Sequence, residues 1–253
     1  MVTVGQNVLV VMGAVIASLL VMEILNRVWH PDKRRTYNDI IGWQVSVLGT
    51  TYAVILGFML YTVWSIYREA VVNVDREANA VVDLYRLADG FPEPQRTQVK
   101  TLARSYADAV VNRDWPEMKK GEEPTQSAGI STEMWKTAIS IRPTSPGEVV
   151  AQEDTLSELR SLSQYRLARL MESNTRLPTV LWCVLLAGGI LTIVATCTFS
   201  TGSIKLHTLH IVSLSLLVSL ALVAIADIHR PFRGLVHVDD NAFQQAQHNM
   251  RAR

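Results

Sequence analysis

Four stretches of the chain, about 6–28, 43–65, 179–200 and 208–228, are almost purely apolar and nearly free of charge. Each has the roughly 20 residues that a helix needs to cross the hydrocarbon core of a bilayer. The chain has 253 residues, 49% apolar and 19% charged, so its soluble and embedded parts must be segregated along the sequence. Transmembrane helices 1 and 2 fall in 1–66, a soluble domain in 67–177, transmembrane helices 3 and 4 in 178–229, and a tail in 230–253. Both termini and the soluble domain then share one side of the membrane. The first span has no Lys or Arg ahead of it, and Glu23, Asn26 and Arg27 stand where a small-residue cleavage site would be needed. It is expected to be a retained helix, not a signal peptide.

From Phe58 to Asp89 there is neither Gly nor Pro. This predicts that the second span leaves the membrane as one continuous helix and stops at Gly90, ahead of Pro92 and Pro94. Such a helix is roughly 70 Å long. In its outer half, Tyr67, Val71, Val74, Ala78, Val81, Tyr85 and Ala88 recur in heptad spacing, with Arg68, Asp75, Arg76, Glu77, Asp83 and Arg86 off the seam. That seam fits either an intersubunit coiled coil or a face buried in the domain's own bundle. An amphipathic helix is expected over 93–115, ended by Pro116, followed by a polar loop over 119–129. A short helix over 133–141, capped by Ser131 or Thr132, comes next. A longer one over 145–174 carries Leu156, Leu159, Leu162, Leu167 and Leu170. No strand-like alternation and no internal repeat is found, so the fold class is an all-α membrane protein.

A net charge of +1 suggests neither nucleic acid nor an acidic substrate as partner. The motifs of phosphate loops, nucleophile elbows and metalloproteases are absent, and 67–177 contains no His or Cys. The chain therefore reads as a non-enzyme with no cofactor and no metal. Cys183 and Cys197 lie about 21 Å apart along the third span and cannot pair within one chain. His207 and His210 are an i,i+3 pair at the start of the fourth span, read as interfacial. His229, His237, Asp239 and Asp240 read as a solvated loop. Glu23 is placed to pair with Arg27, and Asp227 lies one turn from the end of span four. Near the spans, Arg68, Arg76, Arg166, Arg169, Arg176, Arg230 and Arg233 flank one side, against Arg27, Lys33, Arg34, Arg35 and Lys205 on the other. The balance favours a cytoplasmic soluble domain and cytoplasmic termini.

On the second span, Gly49, Ala53 and Gly57 form a small-residue stripe that lets another helix approach closely. Rotated by about 100° lies a second stripe, Thr50, Val54 and Phe58, with Tyr61 nearby. Its spacing fits packing, lipid contact or a pore lining.

Two local patterns carry a family resemblance. The run Val54-Ile55-Leu56-Gly57-Phe58 resembles the F-V-L-G-F segment in the second helix of bestrophins. Pro231-Phe232, Gly234 and Asp239 resemble the N-P-F-G and acidic segment after their fourth helix. YNDIIG (37–42), DREANAVVDLYRLADG (75–90), RLPTVLW (176–182) and HRPFRG (229–234) are more similar still to the bacterial bestrophin-like family, over nearly the whole chain.

The resemblance implies a pentameric anion channel in the bacterial inner membrane, with inorganic ions and the lipid bilayer as partners. It implies a helical cytosolic domain and an apolar neck from the second helix at Thr50, Val54 and Phe58. Two departures stand out: Thr50-Thr51 replaces the family's apolar residue and proline, and the acidic run shrinks to Asp239 and Asp240 with Arg233 inserted. Calcium gating is therefore not carried over. Two other functions fit the layout: a non-conducting scaffold or sensor that docks partners through its helical domain, and a small-molecule transporter.

Overall fold

The computed structural model describes residues 4–252, and every regular element among them is helical. Two compact units share the chain: one holds the residues up to Ser65 with Arg176–His229, the other Ile66–Thr175 with the residues from Arg230 onward.

In the first unit, α1 (Val4–Val28), the first half of α3 (Asn38–Leu87), α8 (Thr179–Thr198) and α9 (Ile204–Ile228) are the helices long and apolar enough to cross a membrane. Their bounds match the four apolar stretches to within a few residues, as expected when hydropathy alone sets the element. The short α2 (Pro31–Arg35) joins the first two. Its Arg34 is fully buried and donates to the Cys197 carbonyl at 2.9 Å and to Asn26 Oδ1. This guanidinium satisfies a carbonyl in the last turn of α8 that has no helical partner. Asn38 donates to the Ser200 carbonyl at 2.6 Å and accepts from the Ser200 amide at 3.1 Å, fastening the start of α3 to the turn after α8. Met59, Val63, Leu185 and Ile225 form one apolar cluster, and Met22, Cys197 and Ile211 another.

In the second unit, α3 runs on to Leu87 and a 3₁₀ turn, Ala88–Gly90, closes it. The continuous second helix is thus found. Val74, Ala78, Val81, Tyr85 and Ala88 are buried within the chain itself, so the heptad seam is a face of the domain's own core. The off-seam position Glu77 is fully buried as well, contrary to its expected place outside the seam.

Three sequence expectations are corrected here. Pro116 does not end the helix: α4 (Gln95–Ala109) passes through a π-turn, Val110–Asp114, into α5 (Trp115–Lys120). Pro116 sits in the first turn of α5, where its missing N–H costs nothing, and the helix ends instead at Gly121, φ +92°. The expected loop over 119–129 is shorter, because α6 (Gln126–Ser140) begins early. Ser131 lies buried within α6 and caps nothing, while Ser127 donates to Asp114 at 2.5 Å and fixes the first turn. By contrast α7 (Pro146–Asn174) starts where expected, with the Ser145 hydroxyl accepting from the Glu148 amide.

After α9 the tail folds onto the second unit's core through α10 (Asn241–Arg251), which buries Phe243, Ala246 and Met250.

Candidate functional site

The pore candidates lie on the membrane half of α3. Of that half, Ile41, Tyr52, Met59 and Val63 are buried, and the last two pack with Leu185 and Ile225. Thr50 is exposed, and Val54, Phe58 and Tyr61 are 53%, 70% and 71% exposed. These bulky side chains therefore share a face that meets little else of their own chain.

The small-residue stripe also finds no close neighbour among the described residues. A Cβ added at Gly49 or Gly57 meets nothing within 4 Å, and Ala53 is exposed. The close helix approach in this unit is made elsewhere, by Gly188 and Gly189 on α8. The Tyr52 ring lies over them: a Cβ at Gly188 would stand 2.6 Å from Tyr52 Cδ2, and one at Gly189 2.9 Å from the Tyr52 oxygen. That hydroxyl donates to the Leu185 carbonyl at 2.9 Å, so a buried phenol is satisfied inside an apolar layer. The Gly188-Gly189 pair within an apolar helix was the sequence signal for this contact.

A second group of residues escaped sequence reasoning altogether. Arg169 on α7 is fully buried and donates to both Glu77 oxygens, at 2.7 and 3.0 Å, and to Asp114 at 3.3 Å. Tyr106 donates to Glu77 at 2.6 Å, and Arg166 donates to Ser127 at 2.9 Å. Burial alone would pull the Arg169 pKa down, but the Glu77 carboxylate beside it outweighs that, raises it above the ordinary value and keeps the guanidinium charged. Burial together with Glu77 holds the Tyr106 phenol well above its ordinary value. This network ties α3, α4, the π-turn and α7 together. Nearby, Glu172 accepts from Asn73 at 2.6 Å, and its other oxygen is buried without a hydrogen bond. Burial raises the Glu172 pKa to about 7, the Asn73 bond opposes that, and Glu69 and Glu77 add to it.

The family-motif tail is structural. Pro231 and Phe232 are buried, and Phe232 meets the Trp115 ring edge-on at 5.6 Å. The Val238 amide donates to the Pro231 carbonyl at 2.7 Å, closing a loop in which Gly234 takes φ +104°. Arg233 Nε donates to the Met118 carbonyl at 3.1 Å, and its guanidinium lies against Gly121 where any Cβ would overlap it. The inserted arginine is thus the residue that fastens this loop to the end of α5. Asp239 is exposed and accepts from the amide and side chain of Asn241, at 3.2 and 2.6 Å, at the start of α10.

Among the remaining polar residues, Arg27 and Glu23 pair at 3.0 Å as expected. His207 is buried, with its Nε2 3.4 Å from the Thr196 carbonyl, whereas His210 is exposed. No group of three or more His, Cys, Asp or Glu among the described residues is placed to hold a metal ion.

A model of the bestrophin-like domain matches residues 12–243. No curated protein matches the chain in sequence. Among solved structures, a point variant of a bacterial bestrophin homologue from Klebsiella pneumoniae superposes with a TM-score of 0.73 at 14% identity, covering 98% of each chain. A second variant of that homologue gives 0.71 at 13% identity, covering 97% of this chain and 99% of the other. Its structure phased with zinc gives 0.66 at 14% identity, covering 97% of each. At such identity the likeness speaks for the fold, and the family model, which spans most of the sequence, speaks for descent: the chain belongs to the bestrophin-like family.

Proposed function

We propose that the chain assembles into an oligomeric, anion-conducting channel in which α3 of each subunit surrounds a central axis and Thr50, Val54 and Phe58 form an apolar neck. The observation that carries this reading is the division of the membrane half of α3 into two faces. One is committed to the subunit through Tyr52, Met59 and Val63, and the other leaves Val54, Phe58 and Tyr61 uncovered. Membership in the bestrophin-like family supports it. Narrow apolar rings in such helices gate by excluding water, so replacing their members with smaller or polar residues opens them. The resemblance favours five subunits, with Gly49, Ala53 and Gly57 at the contact between neighbouring helices. The soluble domain and termini face the cytoplasm of a bacterial inner membrane.

Purified protein is expected to form rings, and proteoliposomes to pass chloride. Val54→Ala and Phe58→Ala should raise the flux. Flux unchanged by either substitution, or none from well-folded protein, overturns the reading.

The scaffold alternative would dock partners through the long heptad helix and the helical domain, with Val71, Val74 and Val81 on the heptad helix as the positions to test. Val74 and Val81 are inside the domain core, so this face of the helix is already occupied. A transporter reading lacks the broken helices expected around a midplane site, since α1, α3, α8 and α9 run unbroken.

A further inference from the structure

An apolar neck can exclude water, but it does not choose the sign of an ion; rings of charged side chains or oriented dipoles close to it do. Because α3 is one unbroken helix, the face of each position follows from its number at about 100° per residue. With Val54 as reference, Phe58, Tyr61, Ser65, Arg68, Val72 and Asn79 all fall within about 40° of it. Every one of them is exposed. The buried positions Tyr52, Val63, Ala70 and Val81 fall on the opposite side. The stripe that holds the neck candidates therefore continues along the helix, and Arg68 is the first charge on it beyond the apolar segment.

Other charges stand to the side of this face or farther along it. Glu69 and Asp75 lie about 60° to either side of the stripe. Glu69 acts on Glu172 of α7, and Asp75 lines a groove toward α10 with His237 and Asp239. Farther along, the Arg76 guanidinium stands 5.8 Å from the centre of the Tyr165 ring, and Arg86 pairs with Asp83 at 3.1 Å. Arg68 has no carboxylate within ion-pair distance among the described residues.

We infer that Arg68 determines the ion specificity of the channel: one guanidinium per subunit forms a cationic ring just beyond the neck, which attracts anions and repels cations. The inference rests on the channel reading. Charges of equal sign around a water-filled path add, which multiplies the effect of a single substitution.

The test is reversal-potential measurement on full-length protein in planar bilayers under a potassium chloride gradient. Arg68→Gln is expected to lower the anion-to-cation permeability ratio about tenfold, from the loss of several weakly screened charges. Arg68→Glu should invert the preference, Arg68→Lys should keep it, and Arg86→Gln, which removes a charge already paired, should leave it unchanged. Arg68→Cys gives a second route on one folded protein: attaching a thiol-reactive ethylammonium group should restore the anion preference, and attaching a sulfonate should not. Conductance with wild-type selectivity in Arg68→Gln overturns this inference alone. Absence of conductance from every form of the protein overturns the channel reading and the inference with it.

Discussion

The two halves of α3 solve opposite problems with one uninterrupted helix. From Ile66 to Leu87 it buries Ala70, Asn73, Val74, Glu77, Ala78, Ala80, Val81, Val82, Leu84 and Tyr85. From Asn38 to Ser65 it buries Ile41, Tyr52, Met59 and Val63. In water, an apolar face must be covered by its own chain, because exposure costs about 25 cal/mol per Å². In lipid that force vanishes, since acyl chains cover a Val or Phe as well as protein does. The membrane half can therefore leave bulky residues uncovered for a neighbouring subunit or an axis, and the soluble half cannot.

The largest expected effect is at Glu77, in the soluble half. Glu77→Ala removes the main counter-ion of Arg169 and leaves a guanidinium that is 0% exposed, with Asp114 at 3.3 Å as its remaining carboxylate. The expected cost is about 3–5 kcal/mol, because a buried charge loses its compensation. Thermal unfolding of the purified protein in detergent micelles measures it. A loss of less than about 1 kcal/mol, the worth of an ordinary hydrogen bond, would mean that the network is not what binds the soluble half together.

That network also marks where sequence reading stops. The four spans, the length of α3 and the Ser145 cap of α7 follow from local signals: hydropathy, the absence of Gly and Pro, and a capping residue. Glu77 and Arg169 are 92 positions apart. Nothing local distinguishes Glu77 from the exposed Asp75 and Arg76 beside it. The same limit explains α6, whose first turn is fixed by Ser127 bonding to Asp114 across a loop. For the candidate neck, spacing placed Thr50, Val54 and Phe58 on one face, but only the fold reveals that Tyr52, Met59 and Val63 occupy the other. The stripe Gly49, Ala53, Gly57 and the pair Gly188, Gly189 looked alike in sequence. They differ in whether a partner exists within the chain, which no spacing rule encodes.

In the membrane half, the expected damage is concentrated where α3 touches α8. Gly188→Val places a side chain into the Tyr52 ring, and overpacking of this kind costs about 1–3 kcal/mol. The same change at Gly57, where nothing lies within 4 Å, should leave the stability of a dissociated subunit unaltered. Comparing the two variants by thermal shift, and their assembly by size, separates packing within a subunit from packing between subunits. Equal destabilisation of the dissociated subunit by both would erase the distinction.

A smaller effect is expected at Glu172, and it carries a sign. The folded pKa is raised from the ordinary 4.5 to about 7, so the folded protein holds this proton more tightly than the unfolded chain does. The stabilisation is complete below about pH 4.5 and fades as the pH rises through about 7. Glu172→Gln keeps an acceptor for Asn73 and cannot ionise. Its melting temperature should exceed that of the parent at pH 8, by a few degrees at most, roughly the shift that 1 kcal/mol gives a chain of this size. At pH 5 the two should converge. A gap of equal size at both values would assign the difference to packing and not to the proton.

The smallest stability effect is expected at Phe58, and it is read best beside its neighbour Met59, which faces the subunit's own core. Met59 is 9% exposed and Phe58 is 70% exposed. Met59→Ala opens a cavity against Val63, Leu185 and Ile225 and should cost about 2–5 kcal/mol. Phe58→Ala removes a larger side chain yet should shift stability by no more than about 0.5 kcal/mol, as at surface positions with no partner. If Phe58 lines an axis, the assembled protein should tolerate its loss as well as the single subunit does, while the flux rises. If Phe58 instead seals a contact between subunits, the oligomer should weaken and dissociate at lower detergent. Lipid contact alone predicts neither change, so stability, oligomer size and flux measured on this one variant assign the face.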